Sequence, residues 1–109
     1  MNRHPGTHGS WYKAELQRWQ GEILNHRTPP QSARARQAET AFEAAISTAQ
    51  QQEARLWELR ATVSLCRLWQ RQGKLELARE RLIALYGWFT EGFATADLQE
   101  AKALLEALG

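Results

Sequence analysis

The sequence predicts an all-α protein, and three observations support this fold class. Residues with high helix propensity dominate, because Ala, Leu, Glu, Gln and Arg are abundant and only three prolines and seven glycines interrupt them. Apolar residues recur at spacings of three and four, the period of an α-helix, and no segment alternates like a half-buried strand. With 43% hydrophobic and 24% charged residues among 109, the chain is long and apolar enough for one domain with its own core.

The first two predicted helices form a pair separated by a proline turn. Residues 1–10 lack periodicity and are expected to be a loose leader, after which Ser10 caps a helix that begins at Trp11. The prolines at positions 29–30 end that helix because proline cannot continue it, and Ser32 caps the second helix. The apolar positions are Leu16, Trp19, Ile23 and Leu24 in the first helix, and Ala38, Phe42, Ala45, Ile46 and Ala49 in the second.

The third predicted helix, from about Leu56 to Gln72, differs in kind from the first two. It is apolar around most of its circumference, and a helix of that kind must be covered on several sides. We therefore expect it to be the central helix, ending at Gly73. Its apolar residues are Leu59, Ala61, Val63, Leu65, Cys66, Leu68 and Trp69, and its polar residues form one stripe, Arg60, Ser64, Arg67 and Arg71.

Two shorter helices complete the prediction. The fourth runs from about Leu75 to Tyr86 and ends at Gly87, and the fifth runs from about Thr95 to Leu108. Either Thr95 or Asp97 is expected to cap the fifth helix. The positions expected to be buried are Leu75, Ala78, Leu82 and Leu85 in the fourth helix, and Leu98, Ala101, Leu104, Leu105 and Leu108 in the fifth.

The segment "LYGWFTEGFATADL", residues 85–98, joins these two helices and is unusually aromatic. Four large rings are too many to leave in water, so we expect them to plug the corner and hold the last helix against the core. The alternative is that they line a pocket for a ligand or partner. The four rings are those of Tyr86, Trp88, Phe89 and Phe93.

Two helical pairs share a common sequence frame that resembles the tetratricopeptide repeat. In the second pair the matching positions are Leu65, Cys66, Trp69, Gly73, Leu75, Ala78 and Leu82, and in the first they are Gly21, Leu24, Ala38, Phe42 and Ala45. Residues 11–109 therefore resemble a tetratricopeptide-like domain with antiparallel helical repeats, in which two pairs are followed by a closing helix.

A closer resemblance rests on the run "WELR…YGWFTEGF…ADLQEAKALL", residues 57–105. It looks like the C-terminal end of large bacterial signalling proteins, in which a class III nucleotide cyclase or a DNA-binding regulator domain precedes an AAA-type ATPase and a tetratricopeptide array. The resemblance implies a regulatory scaffold for protein–protein interaction. It implies no activity, because the sequence has no G-x-x-x-x-G-K-[ST] phosphate-binding loop. We expect no enzymatic function and no cofactor.

The arginine stripe of the third helix is the predicted binding site. In a tetratricopeptide frame it faces the concave groove together with polar residues of the first helix. Guanidinium groups bind carboxylates through two parallel hydrogen bonds, so an acidic or C-terminal peptide is the expected ligand. The alternative is that Glu100 or Glu106 of the last helix pairs with these arginines. The predicted concave-face residues are Arg18, Trp19, Asn25, Arg60, Arg67 and Arg71.

Two other classes of function compete with peptide binding. A pocket around Trp19, Trp57 and Trp69 would suit a small-molecule or peptide sensor. A nucleic-acid adaptor is suggested by residues 1–36, where six Lys and Arg oppose two acids, whereas residues 87–109 hold one against four. This excess of about four positive charges is too small to favour nucleic acid.

Other patterns bear on metal sites and on compartment. His4 and His8 have a metal-ligand spacing, but a zinc site needs three or four ligands. The single Cys66 is expected to be buried and inert, and it is typical of a reducing compartment. No apolar run approaches the ~20 residues of a membrane span. We expect a cytoplasmic protein.

The sequence also predicts a homodimer. In the resembling proteins, earlier repeats cover the first helical pair, and an uncovered end of a repeat stack exposes apolar surface. Two copies would bury this surface about a two-fold axis. The residues expected at the interface are Trp11, Tyr12, Leu16 and Phe42.

Overall fold

A computed structural model describes residues 12–89 and 95–109 of the chain. Within these ranges the secondary structure is entirely helical, which confirms the all-α fold class. Each helix begins within two residues of its predicted start. The helices are α1 (Lys13–Asn25), α2 (Ala33–Gln51), α3 (Arg55–Arg71), α4 (Leu75–Tyr86) and α5 (Ala96–Leu108). The predicted leader and Trp11 lie outside the described residues.

Hydroxyl side chains cap two of the helices as expected. The Ser32 hydroxyl oxygen accepts a hydrogen bond from the backbone N–H of Ala35 at 3.1 Å and so starts α2. Thr95 starts α5 by accepting from the backbone N–H of Leu98 at 3.5 Å. Of the two candidate caps for α5, Thr95 is therefore the one used, and Asp97 is left for another role.

The helices α2 and α3 end in the same kind of turn. After α3, the N–H of Lys74 donates to the carbonyl of Trp69 at 2.8 Å, and Gly73 takes the left-handed conformation with φ 82°. After α2, the N–H of Ala54 donates to the carbonyl of Ala49 at 2.9 Å, and the left-handed residue is Glu53 with φ 55°. The predicted stop at Gly73 is confirmed. Glu53 occupies the equivalent position after α2, although its side chain makes the left-handed backbone conformation less favourable than it is for glycine.

The helix α3 is central, as its apolar circumference predicts. Each helix packs against the next one along the chain, and α1 and α5 also contact α3 directly. All seven residues expected to be buried on α3 lie in the core, as does the whole predicted apolar stripe of α2. In α4 and α5 the core positions are Ala78, Leu82, Leu85, Leu98, Ala101, Leu104 and Leu108. Leu75 is 44% exposed, so its predicted burial is wrong.

The contact between α1 and α2 depends on small residues. Ala14 and Gly21 are buried at the interface, and Gly21 lies directly against the ring of Phe42. Phe42 is 0% exposed. The prediction that Phe42 is available to a second copy is therefore wrong, because α1 covers it. A hydrogen bond of 2.7 Å from the Thr48 hydroxyl to the Gln17 side chain supports the same contact.

The corner after α4 is only partly buried. Tyr86 and Phe89 pack against the core, as predicted. Trp88 is 55% exposed, so the prediction that it plugs the corner is wrong. Its ring lies edge-on to Phe89 and 4.7 Å from the guanidinium carbon of Arg55. Gly87 has φ −65° and so ends α4 without a left-handed turn. Phe93 lies outside the described residues.

Candidate interaction surface

Two surfaces in the described part of the chain contain predicted site residues of α1 and are the candidates for binding a partner. The first is a groove of about 260 Å³ to which α1, α3 and α5 all contribute side chains. We call it the charged groove. It contains part of the predicted arginine stripe, and its lining residues are Arg18, Glu22, Arg60, Val63, Ser64, Arg67, Asp97 and Glu100.

The acidic face of α5 neutralises the arginines that α3 contributes to the charged groove. Arg67 forms an ion pair of 2.6 Å with Glu100, and both side chains are about half exposed. Arg60 forms a second ion pair, of 3.1 Å, with Asp97. The Asp97 carboxylate is available for this pair because Thr95 caps α5. The alternative of internal pairing is thus confirmed for Glu100.

The side of the groove that belongs to α1 is organised around a buried carboxylate. Two nitrogens of Arg18 each donate to Glu15 at 2.9 Å, and these hydrogen bonds raise the pKa of Arg18. Arg60 reaches the same carboxylate at 3.5 Å from the other side. Ser64 donates to Glu22 at 2.7 Å. A helical spacing of three between Glu15 and Arg18 was the available signal for this cluster.

Charge in the groove is close to balanced. Three arginines (Arg18, Arg60 and Arg67) are matched by four carboxylates within ion-pair distance, those of Glu15, Glu22, Asp97 and Glu100, which leaves a formal balance of −1. An acidic peptide would have to displace carboxylates that the chain itself holds in place. Binding of an acidic peptide stays a prediction, and the charge balance gives it no support.

Two of the predicted concave-face residues serve the loop between α1 and α2. Arg71 donates to the side chain of Asn25 at 2.6 Å and to the backbone carbonyl of Thr28. These bonds tie the end of α3 to the end of α1. Arg71 and Asn25 therefore contact each other, and they form a structural clamp beside the charged groove.

The second surface is an apolar stripe on α1, which we call the outer stripe. It consists of Tyr12, Leu16, Trp19 and Ile23, whose exposed fractions are 45%, 43%, 52% and 66%. The spacing of four, three and four residues aligns them along one side of the helix. The side that packs on α2 is the opposite one, where Ala14 and Gly21 lie. The predicted placement of Trp19 in the concave groove is therefore wrong.

The proposed aromatic sensor pocket does not form. Trp69 is 3% exposed within the core, where the guanidinium of Arg81 lies 5.7 Å from its ring. Trp19 points away from that core, on the outer stripe. Trp57 is partly buried next to Arg60, whose guanidinium carbon lies 4.9 Å from the indole centre. The three rings therefore lie in three different environments.

Cys66 is buried at 0% exposure and its thiol donates to the carbonyl of Ala78 at 3.3 Å. Burial raises the pKa of this thiol to about 12, so it is a poor nucleophile near neutral pH, as expected. Across residues 12–89 and 95–109, no three His, Cys, Asp or Glu side chains come together as a possible metal site. His4 and His8 lie outside these ranges. None of the helices in the same ranges is long and apolar enough to cross a membrane.

No protein-family model, curated protein or solved structure matches this chain. The resemblance to the C-terminal region of signalling ATPases and cyclases accordingly stays a prediction. The geometry of the two surfaces is the basis for a functional proposal.

Proposed function

We propose that this protein is a protein–protein interaction module that binds through the outer stripe. The observation that carries the proposal is the orientation of α1. This helix buries small and polar side chains against its own domain and, apart from Leu24, presents its large apolar side chains to solvent. A contiguous apolar patch of a few hundred Å² on a folded protein is often functional.

The outer stripe is large enough to contribute substantially to binding. If a fully exposed side chain of this size offers roughly 200 Å², the four exposed fractions amount to about 400 Å² of apolar surface. Removing that area from water is worth about 10 kcal/mol before the entropy of association is subtracted. The charged groove offers no comparable gain, because its carboxylates and guanidinium groups already pair with one another.

A repeat-like arrangement supports the scaffold role. Each helix packs on its neighbour in the chain, and α1, α3 and α5 lie side by side. In a helical-repeat stack such neighbour contacts provide the stability, and the terminal helix needs a cover on its outer side. We therefore keep the tetratricopeptide-like, regulatory interpretation as part of the proposal. It includes the absence of catalysis and a cytoplasmic location, which a single free cysteine favours.

The test is to immobilise the chain and measure which partner proteins it captures. Variants altered in either the outer stripe or the charged groove show which of the two surfaces binds the partner. Trp19→Lys places a charge in the outer stripe, and Ile83→Lys places the same charge at a 47% exposed position on α4 as the matched control. A partner that binds wild type and Ile83→Lys but not Trp19→Lys supports the proposal. Circular dichroism must show the same helicity for all three proteins.

A third variant asks whether the charged groove is the binding site instead. Arg67→Glu removes a half-exposed guanidinium and places a second carboxylate beside Glu100. Because both side chains are about half exposed, the lost ion pair and the new repulsion together should cost about 1–2 kcal/mol of stability. Partner binding that is lost in Arg67→Glu and retained in Trp19→Lys would move the function to the groove and would support an acidic peptide as the ligand.

A further inference from the structure

We infer that the outer stripe binds the same stripe on a second copy of this chain, so that α1 packs against α1 across a two-fold axis. The inference rests on the proposed function, since it names the partner of the same surface.

The width of the outer stripe indicates what kind of partner it fits. Spacings of four, three and four residues form a seam one helix wide, as in a coiled coil. Lys13 and Gln20 are exposed along one side of the seam, and Glu22 is exposed along the other. A helix that lies on a lipid surface presents a broader apolar face with basic residues beside it. The narrow seam with mixed flanks therefore fits another helix with a matching seam.

The stripe is complementary to itself in the antiparallel orientation. Residues equally distant from the midpoint of the stripe then face each other, so Leu16 meets Trp19 of the second copy and Tyr12 meets Ile23. Each layer pairs an aromatic ring with an aliphatic side chain, which fills space better than a ring against its own copy. A parallel arrangement would place Trp19 against Trp19.

The charges along the seam are compatible with this arrangement. Flanking residues on the same side meet in an antiparallel helix pair, so Lys13 lies beside the neutral Gln20 of the second copy. On the opposite side, Glu22 lies beside Glu15 of the second copy. Each carboxylate is already held within its own chain, Glu22 by Ser64 and by Arg18 at 3.4 Å, and Glu15 by Arg18 at 2.9 Å and by Arg60 at 3.5 Å. The like charges that meet on this side are therefore paired with arginines before the two copies associate.

The apolar area also matches what an interface between two copies needs. Standard interfaces bury about 800 Å² on each partner, of which about 56–65% is apolar. The roughly 400 Å² of the outer stripe therefore supplies most of the apolar part of such an interface.

The residues that precede α1 are a poorer cover for the stripe than a second copy. Positions 1–11 hold only Met1, Pro5 and Trp11 as large apolar side chains, and the other residues are Gly, Ser, Thr, Asn, His and Arg. A second copy offers four apolar side chains already aligned at the correct spacing.

Sedimentation equilibrium of the full chain, from micromolar to millimolar concentration, measures the oligomeric state. We expect a reversible dimer for wild type and for Ile83→Lys, and a monomer for Trp19→Lys with unchanged helicity. Dimerisation that Trp19→Lys leaves intact would overturn the inference, because the contact would then lie elsewhere.

Cysteine cross-linking tests the orientation. A mixture of Leu16→Cys and Trp19→Cys proteins should form the heterodisulfide faster than either variant alone forms a homodisulfide. Cys66 does not compete because it is fully buried. Faster homodisulfide formation would overturn the antiparallel arrangement.

The failure of this inference is distinguishable from failure of the proposed function. Wild type that stays monomeric throughout overturns the second copy as partner. If capture of another protein is still lost in Trp19→Lys, the interaction module stands with a different partner. If capture is insensitive to Trp19→Lys as well, both proposals fail.

Discussion

The replacement Gly21→Ala tests the close contact between α1 and α2. A Cβ atom built at position 21 would lie 2.6 Å from Cδ1 of Phe42, far inside contact distance, and the ring that it meets is 0% exposed. Overpacking of a core costs about 1–3 kcal/mol, whereas alanine gains about 1 kcal/mol over glycine within a helix. We therefore expect a net loss of up to about 2 kcal/mol in the free energy of unfolding.

Equilibrium denaturation in urea measures this loss, and a second background isolates its cause. Phe42→Leu removes the ring atoms that the new methyl group meets, so Gly21→Ala should become neutral or stabilising there. Gln20→Ala, on the exposed side of the same helix, should change stability by less than about 0.5 kcal/mol. If Gly21→Ala stabilises the wild-type chain by about 1 kcal/mol, helix propensity decides the outcome and the proximity of α1 to α2 has been overestimated.

Three further measurements address turns, titration and the corner. Gly73→Ala should lower the free energy of unfolding by about 1 kcal/mol, and Glu53→Gly should raise it by up to the same amount, because both residues have a left-handed backbone conformation. Melting temperatures that shift equally and in the same direction for the two variants would contradict this. Between pH 9 and 12 the free energy of unfolding of wild type should fall by about 1.4 kcal/mol per pH unit relative to that of Cys66→Ala. The reason is that the pKa of the thiol is 9.0 in the unfolded chain and about 12 in the folded one, so the unfolded state loses its proton first. Parallel profiles of stability against pH for the two proteins would show that Cys66 is not the cause. Trp88→Ala should cost about 1–2 kcal/mol of unfolding free energy, because the ring is 55% exposed and packs against Phe89 and Arg55. A loss above about 3 kcal/mol would restore the buried plug.

Helical periodicity and the residues that begin or end helices predict well those elements in which one local sequence signal is strong. Ser32, Thr95 and Gly73 fix helix ends through local hydrogen bonds, which depend little on the rest of the fold. The apolar circumference of α3 leaves no solvent-facing side except its arginine stripe, so its central position follows from the sequence alone. These predictions succeed because the information is local.

The packing of α1 shows where such reasoning fails. Large apolar side chains are expected to face the core, yet Leu16, Trp19 and Ile23 face solvent. The close contact made by Gly21 and Ala14 decides the orientation, and small residues carry little weight in a hydrophobic pattern. Phe42 was misplaced for the same reason, because its cover is a glycine.

The arginine stripe could be located from the sequence but its partners could not. Its position on α3 follows from helical spacing. Whether Arg60 and Arg67 meet solvent or carboxylates depends on where α5 packs, and that depends on contacts distant in sequence. Once Thr95 rather than Asp97 caps α5, Asp97 is free to face Arg60.

The helix α1 connects two surfaces that are otherwise separate. Trp19 and Ile23 belong to the outer stripe, while their immediate neighbours Arg18 and Glu22 belong to the charged groove. A partner that displaces α1 as a whole would therefore shift side chains of both surfaces. In that case binding at the two surfaces is thermodynamically linked, and by reciprocity whatever occupies the groove changes the affinity of the stripe by the same factor. Salt, which weakens the ion pairs in the groove, should accordingly alter association at a surface that carries no charge of its own.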